Sequence, residues 1–319
     1  CTFVIGPTSN SDSASYDYTT DGTDDDVQIQ AAIDALPSTG GRIVFREGTY
    51  TLGAAVTIAK NGLTLQGQGK GSIIIMQSGI SATAMFRLGH ASIIYRDCLI
   101  YNFYLDGNSI SALELIDNHT LTKPMNNVII SYNLLTRSGG AAIYHGSGST
   151  DNDYFTVINN YFLNNGGTTI ASQSRVIIIN DVNDHQLLEG NFFAQTSNSH
   201  GIIYDGTNSC KVLNNDFLLP SGYNKTVIDS CQFVSNNQIR IDGTVANNFI
   251  GINASDWVIS NHIEPSSSAD STAIGIQNSF MVEQNRIDNL GVGLYHNLAN
   301  NVAFYQSNFI SVQRHGIHI

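Results

Sequence analysis

Three aspartates, Asp181, Asp205 and Asp229, follow one another at steps of 24 residues, and the same step continues to Asn253 and Gln277. In a chain of stacked coils, residues recurring at one period form a column, so these side chains are expected on one outer flank. Neighbouring strands sit ~4.8 Å apart, which sets three carboxylates in a short row. Like charges that close raise the pKa of at least one member unless a cation is bound. Hydrolysis of a glycosidic bond uses such a pair. Adjacent rungs approach the ~5–5.5 Å separation of retaining enzymes, and alternate rungs the ~6.5–9.5 Å of inverting ones. The same carboxylates could instead gather calcium. Asp, Asn and Gln at strand ends are also ordinary turn residues.

Other candidates surround this column. Asp184 and His185 fall in the turn after Asn180, and His200 opens the next strand. With the three aspartates, Asp184 and His200 complete the candidate catalytic set. An eliminating enzyme needs a basic group near the abstracted proton, and Arg175, closing the 164–175 insertion, is the best placed. Its plain alternative is a solvated loop arginine. His145, Asp151 and Asp153 form a second cluster on the loop that opens the preceding coil. A histidine with two carboxylates can bind metal or shuttle protons, but no compact metal-ligand motif accompanies it. Tyr144 and Tyr295 read as exposed rings able to stack on sugars, or simply as packed strand residues. Tyr144, His145, Arg175 and His185 are the expected substrate-binding residues.

The elements that position these residues are legible in a repeat. An apolar residue, two variable residues, Asn, one variable residue and a second apolar residue recur around Asn133, Asn160, Asn191, Asn215, Asn237, Asn261, Asn285 and Asn308. The position three before each Asn holds Ile130, Val157, Leu188, Val212, Val234, Val258, Val282 and Tyr305. The position two after holds Leu135, Phe162, Phe193, Phe217, Ile239, Ile263, Ile287 and Ile310. A repeat near two dozen residues signals a solenoid. Asn tolerates the left-handed backbone and suits a bend between strands, and stacked amides can satisfy one another in a ladder. A second strand repeats at Ile178, Ile202, Thr226, Ile250 and Ile274, expected to point inward, with Asn180, Tyr204, Ile228, Ile252 and Ile276 two residues on. The expected fold is an all-β, single-stranded right-handed parallel β-helix.

Composition narrows the function classes. Charged residues make up 13% of the 319 residues and the formal net charge is -12, with no basic stripe of the kind nucleic-acid binders carry. No run reaches the roughly 18 apolar residues needed to span a bilayer. Cys1 is either a lipid-carrying residue of a processed lipoprotein or a processing boundary. Cys210 and Cys231 fall on neighbouring coils and are either paired or free buried thiols.

Residues 21–76 differ from the rest and read as a cap, after an N-terminal extension of residues 1–20 and before coils over 77–319. Thr23 is expected to cap a helix with Asp24, Asp25 and Asp26 in its first turn and Val27, Ile29, Ala32, Ile33 and Leu36 on its apolar face. Strands are expected at Arg42–Phe45, Thr49–Leu52, Leu63–Gln66 and Ser72–Met76. The run Asp21-Gly22-Thr23-Asp24-Asp25-Asp26, Ala31-Ala32-Ile33, Gly40-Gly41, Val44-Phe45 and Gly48-Thr49-Tyr50 resembles the N-terminal signature of the pectate-lyase-like β-helix superfamily. That resemblance implies the fold and a polysaccharide partner, since polygalacturonases, polysaccharide lyases and bacteriophage tailspikes share it. Asn180-Asp181, Asp184 and His200-Gly201 partly resemble the polygalacturonase pattern. However, Ser199 replaces its first glycine, no Asp pair is adjacent, and Arg240-Ile241-Asp242 fails the Arg-x-Lys pattern at its third position.

The chain stops at His315-Gly316-Ile317-His318-Ile319, which aligns with another strand. Solenoids close their ends with an atypical unit, so a further C-terminal segment or a partner, such as the other copies of a homotrimer, is expected to cover it. The expected function is an extracellular or virion-borne protein that binds and hydrolyses a polysaccharide. The alternatives are a non-catalytic spike or surface module and a calcium-dependent lyase.

Overall fold

The computed structural model describes residues 1–318 except 119–122, 124, 147–153, 166–174, 181–184, 197–200, 207–208, 268–271 and 298–303, and excepting the side chains of residues 180, 313, 314 and 318. The chain divides into two units, Cys1–Gln173 and Ser174–Ile319. Both are all-β apart from short helices, and their strands pair in parallel. Among the described residues only an isolated bridge, His90 to Lys123, is antiparallel.

In the first unit, Ile43, Leu65, Ile100, Ile130 and Val157 stand in register on successive coils, and all are fully buried. In the second, Leu188, Val212, Val234 and Val258 do the same, as do Phe193, Phe217, Ile239, Ile263 and Ile287. These are the two apolar positions of the repeat. Each such side chain removed from water contributes about 1.5–3 kcal/mol, so every added coil extends the core on which the next one rests.

The asparagines between these positions form the expected ladder. Asn215, Asn237 and Asn261 each accept, through Oδ1, the backbone N–H and a side-chain N–H of the preceding ladder asparagine at 2.9–3.0 Å. Their own Nδ2 atoms donate to buried carbonyls, as Asn261 does to Val234 O at 2.9 Å. The left-handed backbone falls one residue earlier than expected, on Tyr132, Asn159, Asn214, Asn236, Ser260, Gln284 and Ser307. The ladder amides from Asn133 to Asn285 are buried and bonded, while the more exposed residue before each makes the turn.

The N-terminal helix runs over Asp26–Ala35, and Asp25, not Thr23, holds the cap position. Ile29, Ala32, Ile33 and Leu36 are buried as expected, but Val27 is exposed. The acids do more than face the helix dipole. The buried Asp25 carboxylate accepts the N–H groups of Asp21, Gly22 and Thr51, and Asp26 accepts those of Gly53 and Ala54. Gln30 exchanges two hydrogen bonds with the backbone of Thr57. The helix is therefore tied to the first coil by side chains that replace ladder partners. Strands occupy Gly41–Phe45, Gly48–Leu52, Leu63–Gln66 and Ser72–Met76, matching the expected set within a residue. Residues 1–20 carry the strands Thr2–Pro7 and Tyr18–Thr20, the first paired to Gly41–Phe45.

The second-strand register departs from a uniform 24-residue step. Thr226, Ile250 and Ile274 align as expected, but Ile178 aligns with Tyr204, and Tyr204 with Asp229. The first two coils hold 26 and 25 residues between aligned positions. A slip of one residue exchanges the faces of a strand. Thr226, Ile250 and Ile274 are half-buried, and the fully buried positions are Val227, Ile228 and Ile252. Cys210 and Cys231 are free, buried thiols with Sγ atoms 2.8 Å apart. Among the described residues no helix is long and apolar enough to cross a membrane.

Candidate functional site

The expected row of carboxylates is not assembled. Asp181, Asp184, His200, Asp151 and Asp153 lie outside the described residues. Asp205 aligns with the core residue Ile179 and is fully buried. Its carboxylate accepts Ser209 N at 2.5 Å and Cys210 N at 2.6 Å, closing the turn between two strands. Asp229 faces the other way. It accepts Arg175 Nη2 at 2.9 Å, Asn253 Nδ2 at 2.9 Å and Ser230 Oγ at 3.2 Å. Arg175 crosses Gly201, where a Cβ would sit 1.8 Å from its Nη1, passes over the Tyr204 ring and also donates to Thr226 O at 3.1 Å. It is an ion-paired strut across coils, neither a solvated loop residue nor a free base. His185 is exposed at the start of its strand.

A different group of ionisable side chains converges in the first unit. The strands Ala84–Leu88, Glu114–Asn118 and Ile143–Gly146 stack in parallel, with Phe86, Ile116 and Ile143 aligned in the core. One residue on, Arg87, Asp117 and Tyr144 align, and beyond them Asn118 aligns with His145. Glu114 opens the middle strand, its N–H bonded to Thr83 O at 3.0 Å. Every residue of that strand is buried, so two carboxyl groups stand in an apolar run.

Their electrostatics follow from that burial. Glu114 is 3% exposed, and loss of solvation, then the Asp117 carboxylate, push its carboxyl up to about 8, with Arg87 pulling the other way. It therefore carries its proton near neutral pH. Asp117 Oδ2 lies 3.5 Å from Arg87 Nε, too far for a hydrogen bond, while Arg87 Nη2 donates to Thr83 Oγ1 at 2.8 Å. Arg87 also lines an open cavity of about 360 Å³ between the turns at 53–55 and 81–83.

Two expected substrate-binding residues belong to this neighbourhood, with altered roles. Tyr144 is buried, so it is not an exposed sugar platform; Tyr295 is half-buried. His145 is fully buried and stacked on Phe155 with ring centroids 4.1 Å apart. Its Nδ1 lies 3.0 Å from Asn118 Nδ2, and Asn118 in turn exchanges two hydrogen bonds with Met125. Packing on the neighbouring coil thus removes both rings from solvent. Among the described residues no cluster of three or more His, Cys, Asp or Glu is arranged to hold a metal ion. Glu114 and Asp117 escape the repeat because neither belongs to the period. The available signal was their placement in Leu113-Glu114-Leu115-Ile116-Asp117, where a strand buried on both sides spends two positions on acids.

No family model matches the chain, and no curated protein matches it. Solved structures do. A surface adhesin of Streptococcus pneumoniae, PfbA, superposes with a TM-score of 0.62 at 16% identity, over 96% of this chain and 90% of the adhesin. The A-module of the mannuronan C-5 epimerase AlgE6 from Azotobacter vinelandii superposes with a TM-score of 0.59 at 16% identity, over 94% and 93%. The tailspike gp49 of Acinetobacter baumannii bacteriophage Fri1, a capsular polysaccharide depolymerase, gives 0.51 at 11% identity, over 98% of this chain and 63% of the tailspike. At these identities the likeness establishes the fold alone. These neighbours are parallel β-helix proteins, and the all-β, parallel-stranded architecture is consistent with the solenoid expected from the repeat.

Proposed function

We propose that this chain is a carbohydrate-active β-helix, with the right-handed coil that parallel crossover connections favour, and that it hydrolyses a polysaccharide at the Arg87 cavity. The observation that carries the reading is the placement of two buried acids, Glu114 and Asp117, on the strand paired with the one that carries Arg87 into the cavity. A carboxyl group kept neutral by burial, with a second acid on the same strand, is what acid-catalysed glycosidic cleavage uses. Arg87 lines the cavity, while Glu114 and Asp117 stand on the neighbouring strand and do not line it. On this reading Glu114 donates its proton to the leaving oxygen as the glycosidic C–O bond breaks, water forms the new bond at the sugar carbon, and Asp117 takes the proton that water gives up. Asp117 is the second carboxylate. Arg87 Nε lies 3.5 Å from Asp117 Oδ2, and the same side chain lines the cavity, where it meets the substrate. Polysaccharide-acting proteins among the similar folds support the class of substrate, and the tailspike and adhesin support an extracellular or virion-surface location.

Glu114→Gln keeps the shape of the side chain and removes the transferable proton. Reducing-end release from a panel of capsular and plant polysaccharides should fall at least about 100-fold, the scale of one general acid. Parent-level release by that variant would end the proposal. The similarity to an adhesin supports one rival, a non-catalytic surface module. Saturable glycan binding with no release by the parent protein would favour it.

A further inference from the structure

In the second unit, Phe233, Trp257, Met281 and Phe304 align on successive coils. Val234, Val258 and Val282, which follow the first three along their strands, are fully buried, so alternation turns Phe233, Trp257 and Met281 outward, and Phe304 continues the column. Trp257 is 44% exposed and Phe304 62%, while Phe233 and Met281 are half-buried. Two residues further along each strand stand Ser235, Ile259, Glu283 and Gln306, aligned in the same register. The left-handed turn residues Asn236, Ser260, Gln284 and Ser307 follow, with Ser260 Oγ bonded to Gln284 Oε1 at 3.3 Å. An apolar ribbon one side chain wide thus climbs the coils beside a row of amides and hydroxyls.

Large rings left in water in a continuous line mark a binding surface. We propose that this ribbon binds a linear, uncharged polysaccharide laid along the stacking direction. Sugars present C–H faces to the rings and hydroxyl edges to the amide row, which is the same division of apolar and polar groups. Trp257 and Phe304 are two coils apart, ~9.6 Å, a spacing that lets the rings meet alternate units of an extended chain. Along these rows Glu283 and Lys211, which aligns with Phe233 one coil earlier, carry single opposite charges, so the ribbon offers no excess of cations for an acidic sugar. A protein partner is disfavoured by width, because a stable interface takes about 800 Å² and roughly 20–30 residues on each side. The ribbon shares no residue with the Arg87 cavity and does not depend on hydrolysis there.

Trp257 is the sole tryptophan of the chain, so its fluorescence reports this face alone. The intact protein is titrated with hydroxyethyl cellulose and galactomannan, and with alginate as the charged counterpart. A saturable change in emission with a neutral chain is expected. Phe233→Ala and Phe304→Ala, which keep the reporter and alter outward side chains, should each weaken it about tenfold. Glu114→Gln should leave it unchanged, which separates this site from the hydrolytic one. No change with either neutral polymer, or a response to alginate alone, overturns the proposal. So does an emission shift that follows protein concentration without glycan, which would assign the ribbon to contact between copies.

Discussion

Asp229 pairs across the coil step with Tyr204, and Asp205, one residue further along its strand, faces the core. One carboxylate therefore braces an outer flank and the other closes a buried turn, although sequence spacing places them in a single row.

Asp205→Asn tests the buried role. An amide cannot accept from Ser209 N and Cys210 N through the same charged oxygen without turning its NH2 into a packed interior. Loss of a charge-assisted bond of this kind costs about 1.5–3 kcal/mol. Urea unfolding should show that loss while glycan release, measured per folded molecule, stays at the parent level.

The Arg175–Asp229 strut makes a second prediction. Its side chains are 17% and 13% exposed, so removing one partner strands the other in a poorly solvated place. Asp229→Asn should destabilise by about 1–3 kcal/mol. Gly201→Ala should do comparable harm by pushing Arg175 aside. The double variant should cost clearly less than the sum, since both changes break one contact. Simple additivity in denaturant melts would show that the arginine does not pass over Gly201.

Glu114 sets a pH dependence of opposite sign to that of a salt-bridged carboxylate. Its folded value of about 8 lies above the ordinary 4.5. Between those limits the folded chain holds a proton that the unfolded chain has released, so stability falls as pH rises from about 4.5 to about 8. The slope approaches ~1.4 kcal/mol per pH unit from this one group. Glu114→Gln should flatten that part of the profile and leave the variant more stable than the parent above pH 8. An unchanged slope would remove the protonated acid, and with it the proposed proton donor.

The ladder makes a sharper structural prediction. Asn261→Leu strips the acceptor used by Asn237 N and Nδ2 and the donor used by Val234 O and Ile259 O. Buried groups left unpaired cost about 1–3 kcal/mol each, so loss of several kcal/mol is expected in thermal or urea unfolding. Loss below about 1 kcal/mol would mean that neighbouring coils repair the gap.

What the sequence determined by itself was the coil. Apolar residues at two fixed distances from a recurring Asn dictate which side chains are buried, and buried Asn needs its own kind above and below. Burial and amide pairing are short-range demands, so Val212, Val234 and Val258 align as their spacing requires. Placement of the chemistry was decided by tertiary structure. A step of 25 residues instead of 24 between the strands carrying Asp205 and Asp229 shifts one against the other by one position, and a single-residue slip reverses a face. Glu114 acquires its character from the packed coils around it, because desolvation belongs to the surroundings of a carboxyl group and is not written at its position in the chain.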